Sequence, residues 1–182
     1  MARVLVPLAE GCEELEAVTV IDLLRRAGID VVSAGLAAGP VSASRGVTLL
    51  PDTLLDDVLD QTFDMVVLPG GQPGANHLER DPRIIKLLQR IAGGDGYVAA
   101  ICAAPKVLAS AGLLDGREAT AYPGVLDALA LPDVRLSSAA LVRDGRVITS
   151  RGPGTAMDFA LELIRLLQGE QRRDEVEKGL AR

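Results

Sequence analysis

Several residue types are scarce in this chain of 182 residues, and each scarcity excludes a class of protein. Aromatic residues make up 2% of the sequence, so the core must be aliphatic. The scarcity also argues against binding of single-stranded nucleic acid, which needs aromatic side chains on which the bases stack. Acidic residues outnumber basic ones, 25 to 19, and the net charge is -6. Such a chain has no electrostatic footprint for sequence-specific nucleic-acid binding or for an anionic membrane.

Histidine and cysteine are also scarce, and long apolar runs are absent. The one histidine, His77, and the two cysteines, Cys12 and Cys102, cannot form a structural zinc site unless carboxylates take part. No run reaches the ~18 apolar residues of a membrane span. The segment Met1–Pro7 is too short and too soon interrupted for a signal peptide. We therefore expect a cytoplasmic protein without disulfides and without a membrane partner.

Apolar runs alternate with helical patterns along the whole chain. Near-continuous apolar runs predict four buried strands, at residues 4–8, 30–34, 65–68 and 97–101. Apolar spacing and capping residues predict four helices. The first opens at residues 12–16 and has Arg25 and Arg26 in its last turn, with Gly28 as its cap. The others run from Pro82 to Ala92, from Pro105 to Gly112 and from Thr155 to Leu167. This alternation predicts a single α/β domain over residues 1–182, with a mostly parallel sheet.

The segments between these elements carry weaker signals. Residues 41–50 suggest extended chain that turns near Arg45–Gly46, and residues 54–59 suggest a helical turn. Residues 141–150 predict a β-hairpin around residues 143–146. The charged residues from Glu170 onwards predict a peripheral or frayed helix.

Cys102 is the sharpest chemical feature of the sequence. It lies between a buried strand and a helix and is flanked by Ala100, Ala103 and Ala104, the small neighbours that a tight strand-to-helix elbow requires. A thiol at a helix start is expected to gain thiolate character. The alternative, a small buried core cysteine, is about equally compatible with the position alone.

Two further groups of residues lie, like Cys102, at the carboxyl ends of predicted strands, where open α/β sheets place their sites. The Gly70–Gly71 turn could bind an oxyanion, or could simply need a positive φ. The acids Glu13, Glu14 and Glu16 open a helix, where the simplest role is to stabilise its dipole. Glu16 gains a second role, proton transfer, only if it faces Cys102.

Three other candidates have plain structural alternatives. Arg151 to Thr155 could bind an anion at a helix start or could simply cap the helix. His77 is predicted to be a surface residue rather than a base, and Cys12, beside three glutamates, is predicted to be structural.

Together these segments resemble the ThiJ/PfpI superfamily, within it the DJ-one/YajL branch that contains the parkinsonism-associated deglycase and its bacterial relatives. The resemblance rests on five segments in order across nearly the whole chain: GCEELEAVTVIDLLRRAG, VVLPGG, AAICAAP, TAYPG and TSRGPGTAMDFAL. It implies a flavodoxin-like three-layer sandwich with a nucleophile elbow, like that of class I glutamine amidotransferases. It also implies a homodimer that needs no metal or organic cofactor.

The resemblance also implies roles for individual residues. Cys102 matches the oxidation-sensitive nucleophile, Glu16 the protonated glutamate beside it, and Gly70, Gly71 and Ala103 the backbone groups on the oxyanion side. Five residues match polar positions near the pocket or the dimer interface: Tyr122, Arg45, Arg26, Ser150 and Arg151.

Two departures from the family pattern affect the chemistry. Ala103 stands where peptidase relatives have a histidine, which argues against a peptidase. Tyr122 stands where several family members have a histidine, and an unperturbed tyrosine is a poor base near pH 7. Glu16 would then be the sole acid and base.

The resemblance supports two hypotheses for function. The first is a cysteine-dependent enzyme that converts methylglyoxal, glyoxal or their adducts with amines and thiols into lactate or glycolate. The second is a redox-responsive chaperone or stress sensor in which Cys102 oxidises without useful turnover. A dimer with a vestigial pocket is a third possibility, and it predicts neither selective oxidation nor turnover.

Overall fold

The computed structural model of the protein describes residues 1–182 and contains one seven-stranded sheet and two small ones. The strands are β1 Arg3–Leu8, β2 Asp30–Gly35, β3 Val41–Ser42, β4 Thr48–Leu49, β5 Thr53–Leu54, β6 Met65–Leu68, β7 Tyr97–Ile101, β8 Glu118–Ala119, β9 Arg135–Leu136, β10 Leu141–Asp144 and β11 Val147–Ser150. The large sheet has the order β10-β11-β7-β6-β1-β2-β5, and only its edge strand β10 is antiparallel to its neighbour. The small sheets pair β3 with β4 and β8 with β9.

Six α-helices accompany the strands. They are α1 Glu14–Arg26, α2 Gly74–Arg80, α3 Pro82–Ala92, α4 Pro105–Ser110, α5 Ala156–Gln168 and α6 Glu170–Gly179. Short 3-10 turns cover Leu55–Asp57 and Pro153–Thr155.

Alternation along the strands divides the core into two clusters, one on each face of the large sheet. In β1, Val4 and Val6 join the cluster that includes residues of α1, α5 and α6, whereas Leu5 joins the cluster that includes residues of α3 and α4. Both faces of the sheet are therefore buried, which explains why its strands are apolar without interruption. This arrangement confirms the predicted flavodoxin-like three-layer sandwich.

The main elements match the sequence predictions, and the differences concern short or late segments. The helix α2 was not predicted, because it has seven residues and buries only Gly74, Ala75 and Leu78. The pairing of β8 with β9 was also missed, since each strand has two residues. Helix α1 has Ala27 as its C-cap, and the predicted Gly28 follows it in the left-handed conformation, with φ 76°, that commonly ends a helix.

The C-terminal helix α6 is better anchored than its charged sequence suggests. Val176 is buried in the core. The Arg172 side chain donates to the carbonyl oxygens of Arg26 and Ala27, at 3.0 Å each, and so satisfies the end of α1.

The strand order decides where a site can form. From β1 the chain moves outward through β2 to β5 and then returns to β6 on the other side of β1. The carboxyl ends of β1, β6 and β7 therefore lie side by side where the strand order reverses, the usual location of a site in an open α/β sheet. Cys102 follows β7, and Gly70 and Gly71 follow β6.

Candidate active site

Cys102 occupies a strained elbow between β7 and α4. Its φ is 62°, and Ala181 at the C-terminus is the only other non-glycine residue with positive φ. Hydrogen bonds hold the residue on both sides: its N–H donates to the Ser150 carbonyl at 2.9 Å, and its carbonyl accepts from the Tyr122 N–H at 2.9 Å. Such strain, about 1–3 kcal/mol, persists only where surrounding contacts enforce it, and it is common at functional sites.

The Glu16 carboxyl is brought to Cys102 by the first turn of α1. Its side chain is fully buried. Oε2 accepts the Gly70 N–H at 2.8 Å, whereas Oε1 is buried without a hydrogen-bond partner within the chain. A Cβ atom placed on Gly70 would lie 2.6 Å from Cys102 Cβ and 2.8 Å from Glu16 Oε2. Only glycine therefore lets the two side chains approach each other at this point.

Burial makes Glu16 and Cys102 compete for a proton. It raises the pKa of Glu16 to about 7, against the lowering effect of the Gly70 N–H and of Cys102. Burial also raises the pKa of the Cys102 thiol to about 12, and the next cause is the charge of the Glu16 carboxylate. When Glu16 holds the proton, that second cause disappears and the carboxyl can donate to a thiolate. The prediction of thiolate character at this helix start is therefore wrong while Glu16 is ionised, because burial and the Glu16 charge both raise the pKa of the thiol; only a proton on Glu16 removes the second cause.

The backbone groups expected on the oxyanion side are not equivalent. The N–H groups of Gly71 and Ala103 act on the Cys102 sulfur and favour its thiolate. The Gly70 N–H is committed to Glu16, so Gly71 and Ala103 remain as donors to a negative atom bound at Cys102. Gly71 has φ 89°, and a Cβ there would lie 2.4 Å from the backbone nitrogen of Glu13, so this turn requires glycine.

Tyr122, Ser150 and Arg151 lie next to the elbow. Tyr122 is about half exposed, and its ring lies 3.3 Å from the position of a Cβ on Gly152. The Ser150 hydroxyl is used structurally: it donates to the Ala140 carbonyl at 2.9 Å and lies 2.7 Å from Thr155 Oγ1. Arg151 borders a cleft of about 450 Å³ whose wall also includes Ala121 and Pro123, the neighbours of Tyr122.

The structure does not bring the side chains of Arg45 and Arg26 to Cys102. Arg45 is exposed at the tip of the β3–β4 hairpin, and its backbone N–H donates to Glu14 at 2.8 Å. Arg26 is at the far end of α1, where it pairs with Asp22 at 2.7 Å. Neither side chain contributes to the site within this chain.

Glu14 has a role that sequence reasoning missed. Its buried carboxylate accepts from the Ser44 hydroxyl at 3.1 Å and from the backbone N–H groups of Arg45 and Val47 at 2.8 and 3.4 Å. It therefore fastens the β3–β4 hairpin to the start of α1. The sequence showed an acidic first turn but could not show which acid points inward.

The remaining titratable candidates lie outside the elbow. His77 is exposed on α2, as predicted, and its Nδ1 lies 2.9 Å from the Glu10 carbonyl oxygen. Cys12 is fully buried, and burial raises its pKa to about 11, followed by the charge of Glu14. No group of three His, Cys, Asp or Glu side chains is arranged to hold a metal ion. None of the six helices combines the length and apolar character needed to cross a bilayer.

Fold and site together define a class of protein: an α/β sandwich with a cysteine on a strained elbow beside a buried carboxyl whose pKa is raised. The sequence profile of the DJ-1/PfpI family matches residues 2–166, and the chain belongs to this family. It is 46% identical to protein dj-1beta of Drosophila melanogaster, over 97% of this chain and 95% of that protein. It is 43% identical to the Parkinson disease protein 7 homolog of Danio rerio, over 98% and 96% of the two chains.

One curated relative has an activity in its name. The glutathione-independent glyoxalase DJR-1.2 of Caenorhabditis elegans is 37% identical over 98% of this chain and 95% of its own length. Among solved structures, Drosophila DJ-1beta superposes with a TM-score of 0.95 at 44% identity, covering 99% of this chain and 97% of that one. The oxidized DJ-1 of Toxoplasma gondii gives a TM-score of 0.94 at 37% identity, covering 100% and 98%.

Proposed function

We propose that this protein is a cofactor-free enzyme that converts small dicarbonyls, or their early adducts with amines and thiols, into hydroxy acids. The observation that carries the proposal is the buried Glu16 carboxyl, held by Gly70 against the Cys102 elbow with one oxygen left without a partner. A carboxyl with a pKa near 7 can both give and take a proton at neutral pH. The glyoxalase named among the relatives supports the same class of substrate.

The chemistry needs only groups that the site contains. For methylglyoxal, the Cys102 thiolate adds to the aldehyde carbon, and Glu16 delivers its proton to the new alkoxide to give a hemithioacetal. The Glu16 carboxylate then removes the proton from C1 and returns it to C2, while the proton of the C1 hydroxyl passes to the C2 oxygen, which yields a lactoyl thioester. Water cleaves the C–S bond, lactate leaves, and the thiol is restored.

The polar groups of the elbow have separate tasks in this sequence. The Gly71 and Ala103 N–H groups face the sulfur and can bind the oxygen that becomes negative when the C–S bond forms. Tyr122 is not required as a base. Among side chains, Glu16 has the largest effect on the thiol, so it serves as acid and base in turn.

The decisive experiment follows lactate from methylglyoxal by a chiral assay, with Cys102→Ser and Glu16→Gln beside the wild type. Glu16→Gln keeps an acceptor for the Gly70 N–H but carries no transferable proton, so it is the matched control for the carboxyl. Sustained lactate formation that is lost in both variants is the expected result. Lactate that persists in either variant, or that never exceeds the uncatalysed rate, overturns the proposal.

A second candidate, a redox-responsive chaperone or stress sensor, is favoured by one feature of the same site. A proton on the orphaned Glu16 Oε1 and the Gly71 and Ala103 N–H groups could all donate hydrogen bonds to a sulfinate on Cys102. One of the similar solved structures is an oxidized DJ-1. Mass spectrometry after peroxide treatment tests it: selective sulfinate at Cys102 without lactate turnover favours the sensor over the enzyme.

We also propose that the protein is a homodimer. Leu15 and Val18 on the outer face of α1, and Val47 on the hairpin that Glu14 fastens beside it, are each about half exposed. Sedimentation should give a dimer for the wild type, a monomer for Leu15→Asp with Val18→Asp, and a dimer for Leu129→Asp, an exposed leucine elsewhere. A monomeric wild type contradicts the proposal.

A further inference from the structure

Three residues at the start of α1 and the end of β6 form a closed ring of hydrogen bonds. The Glu13 N–H donates to the Gly70 carbonyl at 2.9 Å. The Gly70 N–H donates to Glu16 Oε2 at 2.8 Å, and the Glu16 N–H donates to Glu13 Oε2 at 2.8 Å. Each residue therefore both donates and accepts one hydrogen bond, and the ring includes the Glu16 carboxyl that faces Cys102.

Glu13 has two contacts in this ring, and they act on different parts of the site. Its side chain caps α1 by taking up the orphan N–H of Glu16, which fixes the first turn of the helix. Its backbone N–H ties that turn to Gly70, whose own N–H orients the Glu16 carboxyl. An ordinary N-cap side chain such as Ser would supply the first contact without a negative charge.

The charge of Glu13 has a further effect on the same carboxyl. The titratable groups that act on Glu16 are Cys102, from the elbow after β7, and Glu13, from its own helix. Burial is the main reason that the pKa of Glu16 is raised, and the Glu13 charge adds to it in the same direction. No cationic side chain is among the groups that act on Glu16 to oppose this effect.

We propose that Glu13 is a positioning residue of the site: it holds the Glu16 carboxyl in place through the ring and keeps the proton shared with Cys102 on Glu16. This inference rests on the proposed function, in which a protonated Glu16 supports a Cys102 thiolate. When the Glu13 charge is removed, ionising Glu16 costs less free energy. The proton then shifts from Glu16 toward the sulfur, and less thiolate is present at neutral pH.

Glu13→Gln separates the charge from the cap, because the glutamine oxygen can still accept the Glu16 N–H. Glu13→Asp keeps both a charge and a good cap, and Glu170→Gln makes the same chemical change at an exposed position on α6. The measurement is the rate at which iodoacetamide alkylates Cys102 between pH 5 and 9. Peptide mass spectrometry separates Cys102 from the buried Cys12.

We expect Glu13→Gln to slow alkylation by about twofold at pH 7 and about threefold at pH 9, and to move the acid-side midpoint down by about 0.5 pH unit, the effect of one partly screened charge. Glu13→Asp should retain most of the wild-type profile, and Glu170→Gln all of it. A Glu13→Gln profile that coincides with the wild type, in protein with unchanged circular dichroism, overturns the inference.

Lactate formation in the same variants keeps the two proposals apart. If the wild type makes no lactate but the alkylation profile of Glu13→Gln still shifts, the enzymatic function fails and the positioning role stands. If the wild type makes lactate and the profile does not shift, the function stands and the positioning role fails. If the role of Glu13 were purely structural, Glu13→Gln would lower the free energy of unfolding without moving the alkylation midpoint.

Discussion

The buried Glu16 carboxyl should make the stability of this protein depend on pH in an unusual direction. An ordinary glutamate has a pKa of 4.5, and burial raises that of Glu16 to about 7. Between these values the unfolded chain loses the Glu16 proton while the folded protein keeps it. The contribution of Glu16 to stability is therefore complete below pH 4.5 and is lost as the pH rises through about 7.

The size of the effect follows from the same two values. Their separation corresponds to about 3 kcal/mol at the upper limit, since one pKa unit is worth about 1.4 kcal/mol. Because the side chain is fully buried, solvent screening does not reduce it greatly. A loss of about 3 kcal/mol is a large fraction of the ~5–15 kcal/mol that stabilises a typical domain.

Glu16→Gln isolates this contribution, because glutamine resembles the protonated acid and does not titrate. Urea unfolding of both proteins should be measured at pH 4.5, 6 and 7.5, at one protein concentration. Relative to the wild type, Glu16→Gln should gain about 3 kcal/mol in the free energy of unfolding between the lowest and the highest pH. A difference that is constant with pH, or that moves in favour of the wild type, would refute a protonated Glu16 in the folded state.

Three further predictions concern neighbouring residues. Gly70→Ala would place a Cβ 2.6 Å from Cys102 Cβ, so we expect a loss of about 1–3 kcal/mol in the free energy of unfolding in urea and a changed rate of Cys102 alkylation. Gly154→Ala, which has open space around it, should change neither quantity, and equal effects of the two substitutions would contradict the steric argument. The pKa of Glu14 lies below its ordinary 4.5: burial alone would raise it, but hydrogen bonds from its own N–H, from the Val47 N–H and from the Ser44 hydroxyl lower it. Glu14→Gln should therefore be less stable than the wild type at pH 7 and approach the wild-type stability as the pH falls below 4.5. A stability difference that widens in acid would disprove this. If Glu16 is the sole acid and base, Tyr122→Phe should retain lactate formation and unfold within about 0.5 kcal/mol of the wild type, and loss of turnover would assign the tyrosine hydroxyl a catalytic role.

Much of the fold could be predicted because its signals are local. The run MVVL of β6 and the run YVAAI of β7 are apolar on both faces, which indicates a strand covered by helices on each side. Helices α3 and α5 carry regular apolar faces. Helix α2 and the pair β8–β9 could not be predicted, because segments of two to seven residues are stabilised by tertiary contacts rather than by their own periodicity.

The sequence by itself determined the layered α/β architecture, the elbow position of Cys102 and, through the order of its motifs, the family. The family resemblance already implied Glu16 for the site, but only the tertiary structure decided what surrounds each of the three clustered acids. Glu16 is buried against Gly70, Glu14 fastens the hairpin, and Glu13 caps the helix. All three have the same side chain, so their roles differ only through the groups that the fold brings to them: a desolvated carboxyl beside a thiol keeps a proton, whereas one surrounded by N–H donors releases it.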